Sequence, residues 1–178
     1  FKRKNGQILC NYMIDRCLDG LIKNHYENSR NALLLSGARQ VGKSYAIRKY
    51  GKANYSCFVE INFIEQPEAI RIFQNATSSS DLLLRLSTFV QQTLVKGETL
   101  IFFDEVQAYP DVLTWIKFLV DSAEYKYALS GSLLGVQLND IRSIPVGYLS
   151  EMEVFPLSFE EFVRAVGVGD ITINSLRE

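Results

Sequence analysis

Gly37-Ala38-Arg39-Gln40-Val41-Gly42-Lys43-Ser44 sets two glycines around four residues and follows them with a lysine and a serine. Such a stretch suits a polyphosphate, which needs many donors close to its oxygens. Glycine lets the backbone curl so that successive N–H groups point inward as a nest for an anion. A helix that opens at the end of the loop, with Tyr45 in its first turn, adds the partial positive charge of its N-terminus. Lys43 then reaches the β- and γ-phosphates as a mobile point charge, and Ser44 offers its hydroxyl to Mg2+. A plain glycine turn between strand and helix explains neither the lysine nor the serine. By chance the pattern arises in fewer than about one chain in a hundred of this length.

A second element fits the same chemistry. Thr99 to Phe103 is the most apolar strand candidate, and Asp104-Glu105 follows it directly. In a parallel sheet, ligands gather at the carboxyl ends of the strands. Asp104 is therefore expected beside the phosphate loop, where a carboxylate holds Mg2+, usually through water. Glu105 is expected nearer the γ-phosphate, orienting and polarising an attacking water. An acidic pair after a strand is most often a helix cap or a solvated turn; the phosphate loop upstream favours the catalytic reading. The pair also favours hydrolysis over phosphoryl transfer to a small molecule. Ser130-Gly131-Ser132 ends another strand candidate, where a hydroxyl can meet the γ-phosphate or the lytic water. An ordinary serine-glycine turn accounts for that stretch equally well.

These residues need a frame, and the chain supplies alternating strands and helices. Ile8, Tyr12, Cys17, Leu21 and Ile22 fall near helical spacing and predict an amphipathic N-terminal helix. "NALLL" is a short apolar run into a glycine, as a buried parallel strand would be. Cys57 to Phe63 reads as a second strand. "QPEAIRIFQ" and "DLLLRLSTFVQQTLV" read as helices, with Asp81 expected to cap the latter and Asn75 to Ser80 expected to be a loop. Pro110 stands near the start of a helix whose stripe holds Trp115, Ile116, Leu119 and Val120. "YKYALSGS" and "GYLSEMEVF" are further strands, and "SFEEFVRAV" is a short helix. Strands alternating with helices over one core imply an α/β/α sandwich on a mostly parallel five-stranded sheet.

The chain has 178 residues, 47% hydrophobic and 22% charged, which suits a single globular core. Its formal net charge of −1 offers no broad basic face for nucleic acid. No apolar run approaches the ~18 residues of a membrane span. The three cysteines, Cys10, Cys17 and Cys57, lack CxxC spacing and are expected as buried thiols in a reducing, cytoplasmic setting. His25, the one histidine, sits among polar neighbours and reads as a surface residue rather than a ligand or base.

The combination of "ALLLSGARQVGKS", "LIFFDEVQAYPDVLTWIKFLVD", "ALSGSLLGV" and "EVFPLSFEEF" resembles prokaryotic AAA-type ATPases of the AAA+ superfamily. In the group it resembles most, the core precedes an uncharacterised C-terminal domain. The resemblance covers about Ala32 to Phe162. It implies a P-loop fold of the additional-strand class, with the Walker B strand separated from the phosphate-loop strand by the sensor strand. It further implies that Gly37 to Ser44 are Walker A, Asp104 and Glu105 are Walker B, and Ser130 or Ser132 is sensor I. ATP and Mg2+ are the implied substrate and cofactor. The family often carries Gly-Arg before "PLSFEEF", where this chain has Gly147-Tyr148. Arg142 is the nearest substitute for an arginine finger, while Arg39 is expected to shape the loop or meet a neighbouring subunit.

The expected organisation is an N-terminal helix over 1–30, an ATPase core over 31–166, and the start of a linker over 167–178. Expected partners are a C-terminal region beyond this sequence, self-association, or another protein. The leading functional expectation is a Mg2+-dependent ATP hydrolase. The alternatives are an ATP-loaded switch with negligible turnover and, disfavoured by charge, a nucleic-acid motor. No Asn-Lys-x-Asp guanine-reading motif occurs, which disfavours a GTPase.

Overall fold

A computed structural model describes residues 16–132 and 147–168. Five strands carry the fold: β1 (Ala32–Ser36), β2 (Cys57–Asn62), β3 (Thr99–Asp104), β4 (Lys126–Ser130) and β5 (Leu149–Glu153). They form one sheet in the order β2-β3-β4-β1-β5, and every pair is parallel. β4 therefore lies between the strand that ends in Asp104 and the strand that feeds the phosphate loop, as the additional-strand class requires. Parallel strands are covered on both faces, so they read as continuous apolar runs. β1 and β3 are buried along their whole lengths.

Alternation along each strand divides the core in two. Leu34, Ile61, Ile101, Phe103 and Leu129 meet Phe73 of α3 (Ile70–Gln74), Leu82 and Leu86 of α4 (Ser79–Val90), and Ile116 and Leu119 of α5 (Val112–Asp121). Leu33, Leu35, Leu100, Phe102 and Ala128 face the other way. They meet Leu18, Ile22 and Tyr26 of α1 (Cys17–Asn28) and Ala46 and Ile47 of α2 (Lys43–Asn54). This is a three-layer α/β/α sandwich. A last helix, α6 (Phe159–Ala165), follows β5. No helix among the described residues is long and apolar enough to cross a membrane.

Several local expectations need correction. α1 buries Leu18, Ile22 and Tyr26, whereas Leu21 and Cys17 are exposed. The helix starts at Cys17 with Arg16 as its N-cap, and its buried face runs through Leu18, Ile22 and Tyr26, of which the expected stripe held only Ile22. Ile8 and Tyr12, with Cys10, lie outside the described residues. Cys57 is only partly buried. α4 is capped by Ser78, whose side chain accepts from the Asp81 N–H; Asp81 instead accepts from the Thr77 N–H at 3.0 Å. The loop over 75–80 therefore ends early, because the serine hydroxyl nucleates the helix three residues ahead of the acid. His25 is half-buried. Its Nε2 lies 3.0 Å from the Asn31 carbonyl, and desolvation lowers its pKa despite that bond.

Candidate functional site: a phosphate loop facing two acids

The site forms at the carboxyl edge of β1, β3 and β4. β1 delivers the chain into the loop at Gly37, and α2 opens at Lys43. Gly37 has φ +131° and Gly42 has φ +92°, a region that L side chains avoid. Gly37 is constrained twice over: a Cβ there would stand 2.3 Å from the Val154 carbonyl oxygen. The segment after β5 thus packs directly beneath the loop. Gln40 also takes a positive φ of 64°. Positive φ at Gln40 and Gly42, on either side of Val41, lets the backbone curl as an anion nest requires.

Lys43 is 8% exposed, and its Nζ donates to the carbonyls of Gly37 (3.0 Å) and Ala38 (2.6 Å). Burial lowers its pKa, while the charges of Glu105 and Asp104 pull the other way. Ser44 stands one residue further along α2. Its Oγ donates to Asp104 Oδ1 at 2.9 Å and lies 3.5 Å from Ser130 Oγ.

Asp104 is 2% exposed and held on both oxygens. Oδ1 accepts from Ser44, from the Ser130 hydroxyl and from the Glu105 N–H at 3.0 Å. Oδ2 accepts from Asn62 Nδ2 at 3.3 Å and lies 3.5 Å from the Arg48 guanidinium. Arg48 is itself clamped by both oxygens of Glu60. Register explains Asn62: it pairs with Asp104 across β2 and β3. Glu105 leaves the strand in a left-handed conformation, φ 56° and ψ 45°, and caps the short turn Val106–Ala108. That turn returns Gln107, whose Nε2 donates to Glu105 and whose Oε1 accepts from the Ser132 N–H at 3.2 Å.

A cleft of about 430 Å3 is lined by Arg39, Gln40, Gly42, Lys43, Ser44 and Tyr45 from the loop and helix. Ile64, Glu105 and Ser132 complete the wall. Its size falls in the range of small-molecule sites. Gly37, Ala38 and Val41 belong to the same loop but do not line the cleft. The two serines separate: Ser130 is buried against Asp104, and Ser132 faces the cleft.

The donor set fits Mg2+. Hydroxyl and carboxylate oxygens are the hard ligands it takes, and it is usually completed by water and substrate phosphates rather than by an all-protein cage. Adjacent ligands of an octahedral Mg2+ with ~2.1 Å bonds stand about 3 Å apart, close to the 2.9 Å between Ser44 Oγ and Asp104 Oδ1. Among the described residues no three His, Cys, Asp or Glu side chains cluster to hold a metal.

Arg16 was not singled out by the sequence. Its guanidinium donates to the Val41 carbonyl at 2.6 Å and the Phe155 carbonyl at 2.8 Å, and lies 3.6 Å from Glu161. Burial opposes ionisation of Glu161, yet the N–H groups of Ser158 and Cys17 and the Arg16 charge keep its pKa below the ordinary value. The "PLSFEEF" segment thereby braces the loop from behind. Tyr148, at the position where the resemblance expects arginine, precedes β5, and its carbonyl accepts from Ala32 N–H at 2.9 Å. Ala32 begins β1, so Tyr148 lies at the sheet edge opposite the loop, about a strand length away at ~3.3 Å per residue. Arg142 lies outside the described residues.

Among solved structures, the chain is similar to the Walker-type ATPase PABY2304 of Pyrococcus abyssi. The two share 19% identity with a TM-score of 0.59, over 91% of this chain and 59% of that one. The chain therefore spans 59% of the length of that relative, and the likeness concerns the fold. PCH-2 of C. elegans also matches, at 13% identity and a TM-score of 0.46, over 79% of this chain and 39% of that one. No curated protein matches. The profile of the AAA domain family matches residues 29–163, a span that holds the loop, both acids and the serine-bearing end of β4. With that match over most of its length, the chain belongs to the AAA domain family of P-loop ATPases.

Proposed function

We propose that the chain binds ATP with Mg2+, hydrolyses it, and uses the cycle to move an attached domain or a partner. The observation that carries this reading is the convergence of Ser44 and Asp104, 2.9 Å apart, with Lys43 and Glu105 on the same cleft. The loop N–H groups and Lys43 hold the phosphates. Ser44 and Asp104 hold the metal, Asp104 directly or through water. Bound Mg2+ neutralises charge on the phosphate oxygens and helps to align them. Glu105 accepts a proton from the attacking water, and Ser130 or Ser132 reads the γ-phosphate end. A cytoplasmic setting belongs to the same reading.

An ATP-loaded switch is the second reading, and one observation favours it. Arg48 is occupied by Glu60 and Asp104, and Arg39 is exposed on the loop itself. An arginine supplied from another subunit or domain raises rates by roughly 10³–10⁵ in related GTPase systems. The 178-residue chain is accordingly expected to be slow alone, with turnover per subunit rising as protein concentration rises.

The test is ATP turnover with Mg2+ and with EDTA, across protein concentrations, with and without nucleic acid. Metal-dependent turnover supports the hydrolase. Tight ATP binding without turnover at every concentration supports the switch. Stimulation by DNA or RNA with a steep salt dependence supports a motor. Absence of ATP binding refutes the nucleotide site.

A further inference from the structure

We propose that Gln107 is the positioning residue that aims the Glu105 carboxylate and ties that aim to the end of β4. The inference rests on Glu105 as the acid that activates water. Glu105 alone is poorly fixed: it lies beyond the strand, its backbone is left-handed, and a glutamate side chain has three rotatable bonds. The turn Val106–Ala108 corrects this. It is closed by the Ala108 N–H donating to the Glu105 carbonyl at 2.9 Å and anchored by fully buried Val106. Gln107 is thereby brought back alongside Glu105.

The amide of Gln107 joins two groups of opposite kind. The Glu105 carboxylate can only accept while ionised, and the Ser132 backbone N–H can only donate. Nε2 must therefore face Glu105, and Oε1 must face Ser132, which is the arrangement observed. Neither a hydroxyl nor a second acid satisfies both ends at this reach. Ser132 is 4% exposed and stands two residues after Ser130, whose hydroxyl meets Asp104. One amide thus links the acid to the strand end that touches the metal-binding carboxylate. The bond occupies Glu105 Oε2 and leaves Oε1 to accept a proton from water.

Two substitutions separate the ends of the amide. Gln107→Met keeps the length and removes both bonds. Gln107→Glu keeps an acceptor for Ser132 and sets a like charge against Glu105. Both are compared with wild type, with Glu105→Gln, and with Glu105→Gln combined with Gln107→Met, in steady-state and single-turnover ATP hydrolysis on the 178-residue chain. Gln107→Met is expected to lower kcat roughly ten- to a hundredfold, the loss of one bond to a charged group, and to leave KM within about threefold. Gln107→Glu is expected to be at least as slow. In the Glu105→Gln background, Gln107→Met should cost less than about twofold further, because its effect passes through Glu105.

Equal slowing in both backgrounds overturns the proposal. So does a raised KM with unchanged kcat, or a Gln107→Glu chain that turns over at the wild-type rate, since the Ser132 bond alone would then suffice. If Gln107→Met does not fold, as judged by its thermal melt, Gln107→Glu and its combination with Glu105→Gln carry the same comparison. Wild-type turnover by Glu105→Gln alone overturns the acid reading itself and the inference with it, a result the single variant identifies.

Discussion

Asp104 and Glu105 are adjacent acids at the end of one strand, yet they are held in opposite ways: Glu105 lines the cleft and Asp104 is buried behind Ser44. Asp104 ends β3 within the sheet and is almost wholly buried, with three donors on one oxygen and an amide and a guanidinium at the other. Glu105 has left the ladder, adopts a left-handed backbone and, among the described residues, takes one side-chain hydrogen bond, from Gln107. A metal ligand benefits from fixed oxygens, because Mg2+ tolerates little distortion. An acid that must meet a water in transit benefits from a single adjustable tether. The difference arises from one residue of strand: Asp104 pairs with Asn62 in register, and Glu105 has no such partner in β2.

The largest expected effect lies on the loosely held acid. Glu105→Gln keeps the shape but removes the charge that polarises water, and should slow ATP turnover by about 10²–10⁴-fold at unchanged ATP affinity. Next comes the cation that faces both acids. Lys43→Ala should weaken ATP binding roughly ten- to a hundredfold, measured by calorimetry, because a charge-assisted contact to phosphate is lost. Retention of wild-type affinity with an intact fold would remove the phosphate-loop assignment. The smallest effect tests the redundancy around Asp104. Ser130→Ala deletes one of three donors on Asp104 Oδ1 and should change turnover by only about two- to tenfold, because Ser44 and the Glu105 N–H still satisfy that oxygen. A loss as large as that of Glu105→Gln would show that Ser130 acts on the nucleotide itself, and the contrast between braced and tethered acids would need redrawing.

The parts of this site that the sequence exposed are those whose chemistry is local. Gly37, Gly42, Lys43 and Ser44 lie within eight consecutive residues, and Asp104 ends an unmistakable apolar strand with Glu105 directly after it. The same holds for the interior strands β1 and β3, which are short, nearly uninterrupted apolar runs buried along their whole lengths. Hidden residues act across the chain. Asn62 matters because β2 pairs with β3 in a register that places it opposite Asp104; a polar residue at the end of an apolar strand was its one visible signal. Arg48 lies one helical turn after Ser44, and that spacing places it on the same side of α2. Gln107 matters through a left-handed residue that no composition reveals. Arg16, which the sequence did not single out, is an N-cap whose guanidinium reaches Val41 and Phe155. The α1 face was misjudged because Leu21 and Ile22 are both apolar, and only Ile22 shares the i, i+4, i+8 row of Leu18 and Tyr26 that packs on the sheet.

The division of labour between the two acids has one direct test. ATP affinity and turnover are measured as Mg2+ is titrated, for wild type, Glu105→Gln and Asp104→Asn in parallel. The account predicts that Glu105→Gln binds ATP with the wild-type Mg2+ dependence while its turnover collapses. It predicts that Asp104→Asn needs more Mg2+ for both binding and turnover. Identical Mg2+ dependence in Asp104→Asn and wild type, or undiminished turnover in Glu105→Gln, would contradict it.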